Sequence, residues 1–167
     1  MKISDITQTT NLPHGVPNLV YGDFLIFMLA SEAYAINIKS VRELRGEVSL
    51  TQIAGSPDYV RGVASLRGSV IPFVDLCHCF KLAGDSTPRT AIILDTEQGP
   101  MGLLAGQIHE VVQIMRADVL PFACKTDTQH ILGLVTMQDR LVTILDLNTL
   151  LASLEYEKCY QTAGLLN

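Results

Sequence analysis

The 167-residue sequence contains no tryptophan, and aromatic residues make up only 6% of it. Its 12 Lys and Arg residues form no basic block, and 17 Asp and Glu residues bring the net charge to −5. Nucleic-acid-binding proteins concentrate cationic side chains for phosphate contacts, and many stack aromatic rings on bases. The composition therefore argues against a nucleic-acid partner.

Long apolar runs are also absent. No stretch approaches the ~18 residues of a membrane-spanning helix, and the N-terminus lacks the apolar core of a secretory signal. Residues 1–20 are polar and contain Thr and Pro, so we expect a flexible arm there. Four cysteines without the spacing of a disulfide framework suggest reduced thiols. With 48% hydrophobic residues, the chain is expected to fold. Because it has neither a secretory signal nor a membrane span, we expect a cytoplasmic domain without membrane insertion.

The second half of the sequence resembles the first. Residues 62–80 align without a gap with residues 133–151, and residues 34–44 align with residues 101–111. The offset is 71 residues for the first pair and 67 for the second, so four residues must be inserted in a loop. This self-similarity favours a tandem duplication of one β-rich unit.

Alternating apolar residues and turn residues predict five short strands in each unit. The first unit has strands at 23–29, 34–38, 40–45, 62–67 and 69–74, and the second at 90–95, 101–105, 108–114, 131–137 and 140–145. Five antiparallel strands with close turns favour a small barrel in each unit, because closing a sheet removes its exposed edges. The predicted fold class is all-β, with a few short helices.

Short helices are predicted where each unit ends. Residues 75–82 and 146–158 both begin at an aspartate, whose carboxylate can accept hydrogen bonds from free N–H groups. The two aspartates occupy equivalent positions, which favours helix capping over a catalytic pair of carboxylates. A further helical turn is predicted with Ser56 as its N-cap and Pro57 in its first position.

No motif indicates catalysis. The sequence has no G-x-S-x-G, no H-E-x-x-H and no P-loop, and its four histidines are scattered. The run Cys77-His78-Cys79 could recruit zinc, but zinc sites usually space a ligand pair by two or more residues. A helix start with buried thiols is the favoured interpretation. We therefore predict no enzyme activity, no metal and no cofactor.

Arginine is the remaining candidate for a functional residue. Three Arg-Gly pairs occur, all in the first unit, at Arg45-Gly46, Arg61-Gly62 and Arg67-Gly68. Glycine after arginine permits a sharp turn that directs the neighbouring side chain outward. Gln138 takes the place of Arg67 in the second unit, so the unit does not require arginine there. The pattern favours a binding module over an enzyme.

Two segments resemble the CheW family, the adaptor proteins of bacterial chemosensory arrays. They are "FLIFMLASEAYAINIKSVRELRG" and "IAGSPDYVRGVASLRGSVIPFVDL", and the resemblance covers roughly residues 22 to 152. It implies two five-stranded SH3-like barrels packed on a shared hydrophobic core. The implied organisation is one domain over residues 21–152 with two interleaved barrels, the repeats lying at about 22–82 and 89–152, and a helix end and tail at 153–167.

The resemblance also implies a function. The protein would be a non-catalytic adaptor coupling the cytoplasmic hairpin tip of a methyl-accepting chemoreceptor to the regulatory domain of a CheA-type histidine kinase. By position, the residues implied for receptor binding are Ile38, Val41, Glu43, Gly62 and Arg67. Those implied for kinase binding are Arg61 and Arg45.

Several alternatives stay open. Arg67 either braces the loop beside the receptor groove or meets the receptor directly. The protein could instead be a regulator that binds a small ligand in the groove between the barrels, or a purely structural component of the array ring. A shallow open groove would favour a helical partner, and a closed cavity with perturbed titratable groups would favour a ligand.

Overall fold

The computed structural model describes residues 21–83, 89–122 and 128–154. The predicted N-terminal arm and C-terminal tail lie outside these ranges. The ten strands are β1 Gly22–Leu29, β2 Glu32–Asn37, β3 Val41–Arg45, β4 Val60–Leu66, β5 Ser69–Asp75, β6 Thr90–Thr96, β7 Gly99–Ala105, β8 Ile108–Ile114, β9 Ile131–Met137 and β10 Arg140–Leu145. The helices are α1 Leu76–Cys79 and α2 Leu147–Ser153, and short 3-10 turns lie at Ile38–Ser40 and Arg116–Asp118. All ten predicted strands are present.

The strands form two five-stranded sheets. Sheet 1 has the order β8-β1-β2-β10-β9, and sheet 2 has the order β3-β6-β7-β5-β4. The repeat makes β1 to β5 equivalent to β6 to β10. Exchanging each strand of sheet 1 for its equivalent gives the order of sheet 2. The two sheets therefore have the same strand order, which is the order that a duplication would give.

The expectation of one barrel in each repeat is wrong, because each sheet takes strands from both repeats. Sheet 2 is built from the continuous segment 41–105, and sheet 1 combines β1 and β2 with β8, β9 and β10. After β2 the chain passes through the 3-10 turn Ile38–Ser40 and enters the other sheet. Asn37 caps that turn by accepting a hydrogen bond from the Lys39 amide at 3.0 Å. Two of the four strand pairs that join the repeats, β2 with β10 and β5 with β7, are parallel, so the expectation of only antiparallel pairs is also wrong.

A crossing segment links the two edge strands of each sheet. After β3 the chain returns to pair Thr51 with Val63 of β4, and after β8 it pairs Leu120 with Leu134 of β9. These bridges join the open edges of each sheet, which is consistent with the expected five-stranded barrels.

Gly62 and Gly133, which are both buried, lie beneath these crossings. A Cβ atom at Gly62 would lie 2.3 Å from the carbonyl oxygen of Thr51, and one at Gly133 would lie 2.5 Å from a methyl carbon of Val119. Glycine is therefore required at both positions, because another segment of the same chain passes directly above each of them. This explains why the two repeats both have glycine there.

The main hydrophobic core lies between the sheets. It joins Phe27 and Ile36 of sheet 1 to Val74 and Leu103 of sheet 2, all fully buried, and the apolar faces of both helices complete it. Each sheet also has a smaller cluster of its own, around Phe24 in sheet 1 and around Phe73, Ile71 and Ile93 in sheet 2. The expected shared core is thus present.

Both helices begin at the predicted aspartate caps. Asp75 accepts hydrogen bonds from the amides of Cys77 at 3.0 Å and His78 at 3.3 Å. Asp146 does the same for Asn148 at 3.0 Å and Thr149 at 3.4 Å. The capping interpretation is confirmed.

Helix α1 is shorter than predicted, because it ends in a left-handed residue. The amides of Lys81 and Leu82 donate to the carbonyls of His78 and Cys77 at 3.2 and 2.9 Å, while Lys81 has a φ of 53°. This is a Schellman motif with lysine at the C′ position, where glycine is the usual residue.

The predicted cap at Ser56 is wrong. The Ser56 hydroxyl donates to the carbonyl of Ile53 at 2.8 Å and accepts no cap bond. One hydrogen bond from the Val60 amide to the Pro57 carbonyl, at 2.9 Å, closes a single turn there without a helix.

Candidate functional site

Strand β3 is an edge strand of sheet 2 and is half exposed, as its alternating sequence predicts. Val41, Glu43 and Arg45 lie on its partly buried face, and Arg42 and Leu44 face solvent. The pairing with β6 shifts between Val41 and Glu43, so Arg42 occupies a β-bulge. Bulges re-aim side chains at sheet edges, and here the bulge precedes the glutamate.

Glu43 is held by two arginines. Its Oε1 accepts a hydrogen bond from Arg45 Nε at 3.0 Å, and its Oε2 accepts one from Arg67 Nη2 at 2.7 Å. The hydrogen bond from Arg45 lowers the pKa of the Glu43 carboxyl, and the charges of the neighbouring arginines act in the same direction against partial desolvation. The side chain is therefore a carboxylate at neutral pH. We call Glu43, Arg45 and Arg67 the Glu43 corner.

The β4–β5 turn places Arg67. Arg67 and Gly68 have φ values of 51° and 81°, which is the pattern of a type I′ hairpin turn. Gln138 and Asp139 adopt the same pattern in the β9–β10 turn, with φ values of 48° and 61°. The turn therefore forms without arginine, as the repeat predicts. What Arg67 adds is the bond to Glu43, while 64% of its side chain stays exposed.

The other residues implied for receptor binding lie around this corner in different ways. Ile38 and Val41 are half-buried and pack against the shared core at the passage between the sheets. Gly62 is buried beneath Thr51, so its position is explained by the chain crossing. Of these five residues, only Glu43 and Arg67 form an ion pair with each other. Gly62 is buried and offers no surface for a partner.

The two arginines implied for kinase binding lie in separate environments. Arg45 belongs to the Glu43 corner. Arg61 faces the buried carboxylate of Asp75, with its Nε 3.9 Å from Oδ2. Asp75 Oδ2 also lies 3.1 Å from Arg89 Nη1 and 3.2 Å from His78 Nδ1. Sequence analysis missed this cluster, because Arg89 is brought to Asp75 only by the tertiary fold.

Exposed apolar side chains form another feature that sequence analysis missed. On sheet 1 and the segment after β8 they are Val111, Met115, Leu120, Phe122 and Leu141, and on sheet 2 they are Leu44 and Val70. Alternation of apolar and polar residues along a strand does not reveal which face of the sheet is left uncovered by other elements. The exposed apolar residues were therefore not predictable from the sequence.

The residues considered for metal binding form no such site in the described part of the chain. Among these residues no group of three or more His, Cys, Asp and Glu side chains is arranged to hold a metal ion. Cys77 is buried and Cys79 is half-buried, and neither forms a disulfide. No helix within the described ranges is long and apolar enough to span a membrane.

The fold is a β-rich module of two five-stranded sheets, with the ionic Glu43 corner at the edge of sheet 2. A family model described as "CheW-like domain" matches residues 23–155. The chain is 33% identical over 138 residues to chemotaxis protein CheW of Klebsiella aerogenes, covering 80% of this chain and 83% of that protein. It is 28% identical over 153 residues to a probable chemotaxis protein CheW of Rhizobium etli, covering 87% and 99%.

A solved structure agrees with these relatives. The crystal structure of scaffolding protein TtCheW from Thermoanaerobacter tengcongensis matches with a TM-score of 0.71 and 28% identity, over 84% of this chain and 93% of that one. The chain belongs to the CheW-like family. It is a chemotaxis scaffold of a non-enzymatic family.

Proposed function

We propose that the protein couples the cytoplasmic hairpin tip of a methyl-accepting chemoreceptor to the regulatory domain of a CheA-type histidine kinase. It would act in the cytoplasm, reaching membrane-associated arrays through these partners. The observation that carries the proposal is the Glu43–Arg67 ion pair on the edge of sheet 2. The equivalent turn forms without arginine, so this pair is an addition to the fold.

The Glu43 corner suits a helical partner. Ile38 and Val41 offer partly exposed aliphatic surface beside the ion pair, and aliphatic side chains on a helix bury against such a surface. Charged side chains next to it set register and orientation. Arg67 would serve both roles considered for it, because it braces Glu43 and keeps most of its side chain accessible. Gly62 would support the site through the fold.

The kinase contact is proposed for sheet 2 as well. Arg45 and Arg61 are its implied residues, and the exposed Leu44 and Val70 of the same sheet add apolar area. Interfaces of transient signalling complexes are modest in size and combine an apolar centre with a polar rim. Arg45 would lie where the two proposed contacts meet, because it also holds Glu43.

The test is receptor binding by isosteric variants. Glu43→Gln should weaken binding of a receptor hairpin fragment at least tenfold in calorimetric titration, because both arginines lose their carboxylate partner. Glu110→Gln is the matched control, since Glu110 occupies the equivalent exposed position on β8. It should bind as the wild type does.

Three outcomes would contradict the proposal or favour an alternative. An equal loss of receptor affinity in the two variants would show that receptor binding does not depend on the Glu43 corner. A large drop in melting temperature for Glu43→Gln would make the residue structural. Failure to bind any kinase, with self-association retained, would indicate a purely structural ring component, and saturable binding of a small molecule instead would indicate a ligand-dependent regulator.

A further inference from the structure

A second charged feature lies beside α1, and the proposed function uses only Arg61 of it, for the kinase contact. An open cleft of about 600 Å³ is lined by Arg61, Asp75, His78, Lys81 and Arg89. We call it the α1 cleft. Three permanent cations and one buried carboxylate face it, in a protein whose net charge is −5.

The carboxylate neutralises only part of this charge. Asp75 is 2% exposed and is engaged by two capping amides through Oδ1 and by Arg89 at 3.1 Å through Oδ2. Arg61 lies 3.9 Å from the same oxygen, beyond hydrogen-bonding distance. Lys81 is exposed and has no acidic partner among the described residues. Among the described residues that line the cleft, permanent positive charges therefore exceed negative ones by two.

The repeat shows that the fold does not require these cations. Asp146 caps α2 in the same way, and its second oxygen accepts a hydrogen bond from the Thr149 hydroxyl at 2.7 Å. Leu132 stands where Arg61 stands in the first repeat. The corresponding cleft beside Asp146 has the equivalent residues Leu132, Asp146 and Asn148 in its lining, together with Lys39, and measures about 210 Å³.

Lys81 adds a second argument. It occupies the C′ position of the Schellman motif with a φ of 53°, a conformation that glycine adopts without strain. A lysine held there at a conformational cost, with its charge directed at a cationic cleft, is the kind of outlier that points to function.

We propose that the α1 cleft binds a phosphate dianion, either free or as the monoester of a small molecule. The excess of two positive charges balances a phosphate near neutral pH. Arg61 supplies a planar set of donors that matches phosphate oxygens. Lys81 supplies a point charge, and Arg89 positions the site through Asp75. A carboxylate monoanion would leave one charge unbalanced.

The experiment uses the isolated full-length protein. Proton–nitrogen correlation spectra are recorded during titration with inorganic phosphate or glycerol phosphate, with sodium chloride holding ionic strength constant. We expect saturable shifts at the amides of Arg61, Lys81 and Arg89. Acetate should bind at least tenfold more weakly than phosphate. Because no kinase or receptor is present, the result is independent of the proposed function.

Variants taken from the repeat locate the site. Arg61→Leu introduces the residue of the second repeat, and Lys81→Asn keeps a residue that tolerates positive φ. Each should weaken phosphate binding at least tenfold while the spectra stay dispersed. Lys39→Asn removes a cation from the equivalent cleft and should leave binding unchanged. The inference is overturned if chloride alone produces the same shifts, if acetate binds equally well, or if binding survives both cleft variants.

Discussion

At the scale of single residues, comparison of the two repeats separates folding roles from added ones. Asp75 and Asp146 cap their helices alike, and Gly62 and Gly133 both lie beneath a crossing chain. Arg67 has no such counterpart, because Gln138 forms the same turn. The sequence was sufficient to predict that Arg67 is not needed by the turn. Its bond to Glu43 was not predictable, since the two residues are 24 positions apart.

The first prediction concerns Arg67→Asn. Asn-Gly is the preferred pair for a type I′ turn, so the hairpin should be at least as stable as in the wild type by urea unfolding. The pKa of the Glu43 carboxyl should rise, because one neighbouring positive charge is lost, but should stay below its ordinary value because the Arg45 hydrogen bond is the larger cause. Carbon-detected NMR titration of the carboxyl measures this.

The lowered pKa of Glu43 determines how its contribution to the stability of the folded protein changes with pH. Its stabilisation is present above the unfolded-state pKa and is lost as pH falls through the folded-state pKa. Gln138→Asn, in the equivalent turn, serves as the control and should leave the Glu43 titration unchanged. An unchanged Glu43 pKa in Arg67→Asn would show that the ion pair does not persist in solution.

At the scale of elements, the strands were predictable and the crossings between them were not. Alternation of apolar residues marks a strand whatever its partner, which is why all ten were found. The bridges at Thr51 and Leu120 depend on chain path, and only the paired glycines hinted at close contact.

A glycine series tests the crossing in sheet 2. Gly46→Ala meets open space at an ordinary φ, so it should change the free energy of unfolding by less than about 0.5 kcal/mol. Gly68→Ala adds only strain at a φ of 81° and should cost about 1–2 kcal/mol. Gly62→Ala adds a collision with Thr51 and should cost at least about 3 kcal/mol. Urea unfolding measures all three, and equal costs at Gly62 and Gly68 would contradict the crossing.

A ladder of stacked rings links sheet 1 to α1. Phe27, Tyr34, Phe80 and His130 stack in sequence, with centroid separations of 6.3, 5.5 and 5.2 Å. Burial lowers the pKa of His130 from its ordinary value of 6.5. The folded protein therefore binds a proton at His130 less readily than the unfolded chain does.

The stack predicts a pH dependence of stability. Between the unfolded-state and folded-state pKa values of His130 the unfolded chain binds more protons, so stability should fall as pH drops below about 6.5. His130→Tyr introduces the residue of the equivalent position, Tyr59, and removes the titration while keeping a ring. Urea unfolding at mildly acidic and neutral pH should give a smaller difference for the variant than for the wild type. An equal difference would refute the assignment.

At the scale of the whole molecule, the two repeats exchange strands. The duplication was predictable from the sequence, and the shared core was implied by the family resemblance. The exchange was not predictable from the strand pattern, because a period of two does not specify the partner. Sheet 2 is one continuous segment, 41–105, whereas each repeat contributes strands to both sheets. The structural units of the protein are therefore the two sheets and not the two sequence repeats.

Fragments test this division. A fragment of residues 22–88 contains the first repeat but completes neither sheet, and we expect it to be unfolded by circular dichroism and NMR. A fragment of residues 38–107 contains every strand of sheet 2 and should keep more strand content, although it lacks its half of the shared core. The reverse ranking would contradict the exchanged topology.

The central claim is that the protein couples a receptor to a kinase, and kinase recruitment tests it most directly. Membranes bearing the host's chemoreceptor are sedimented with its CheA-type kinase, with and without this protein. The kinase should enter the pellet only when the protein is present, and Glu43→Gln should abolish that recruitment while Glu110→Gln preserves it. Kinase sedimentation that is the same without the protein would contradict the coupling function.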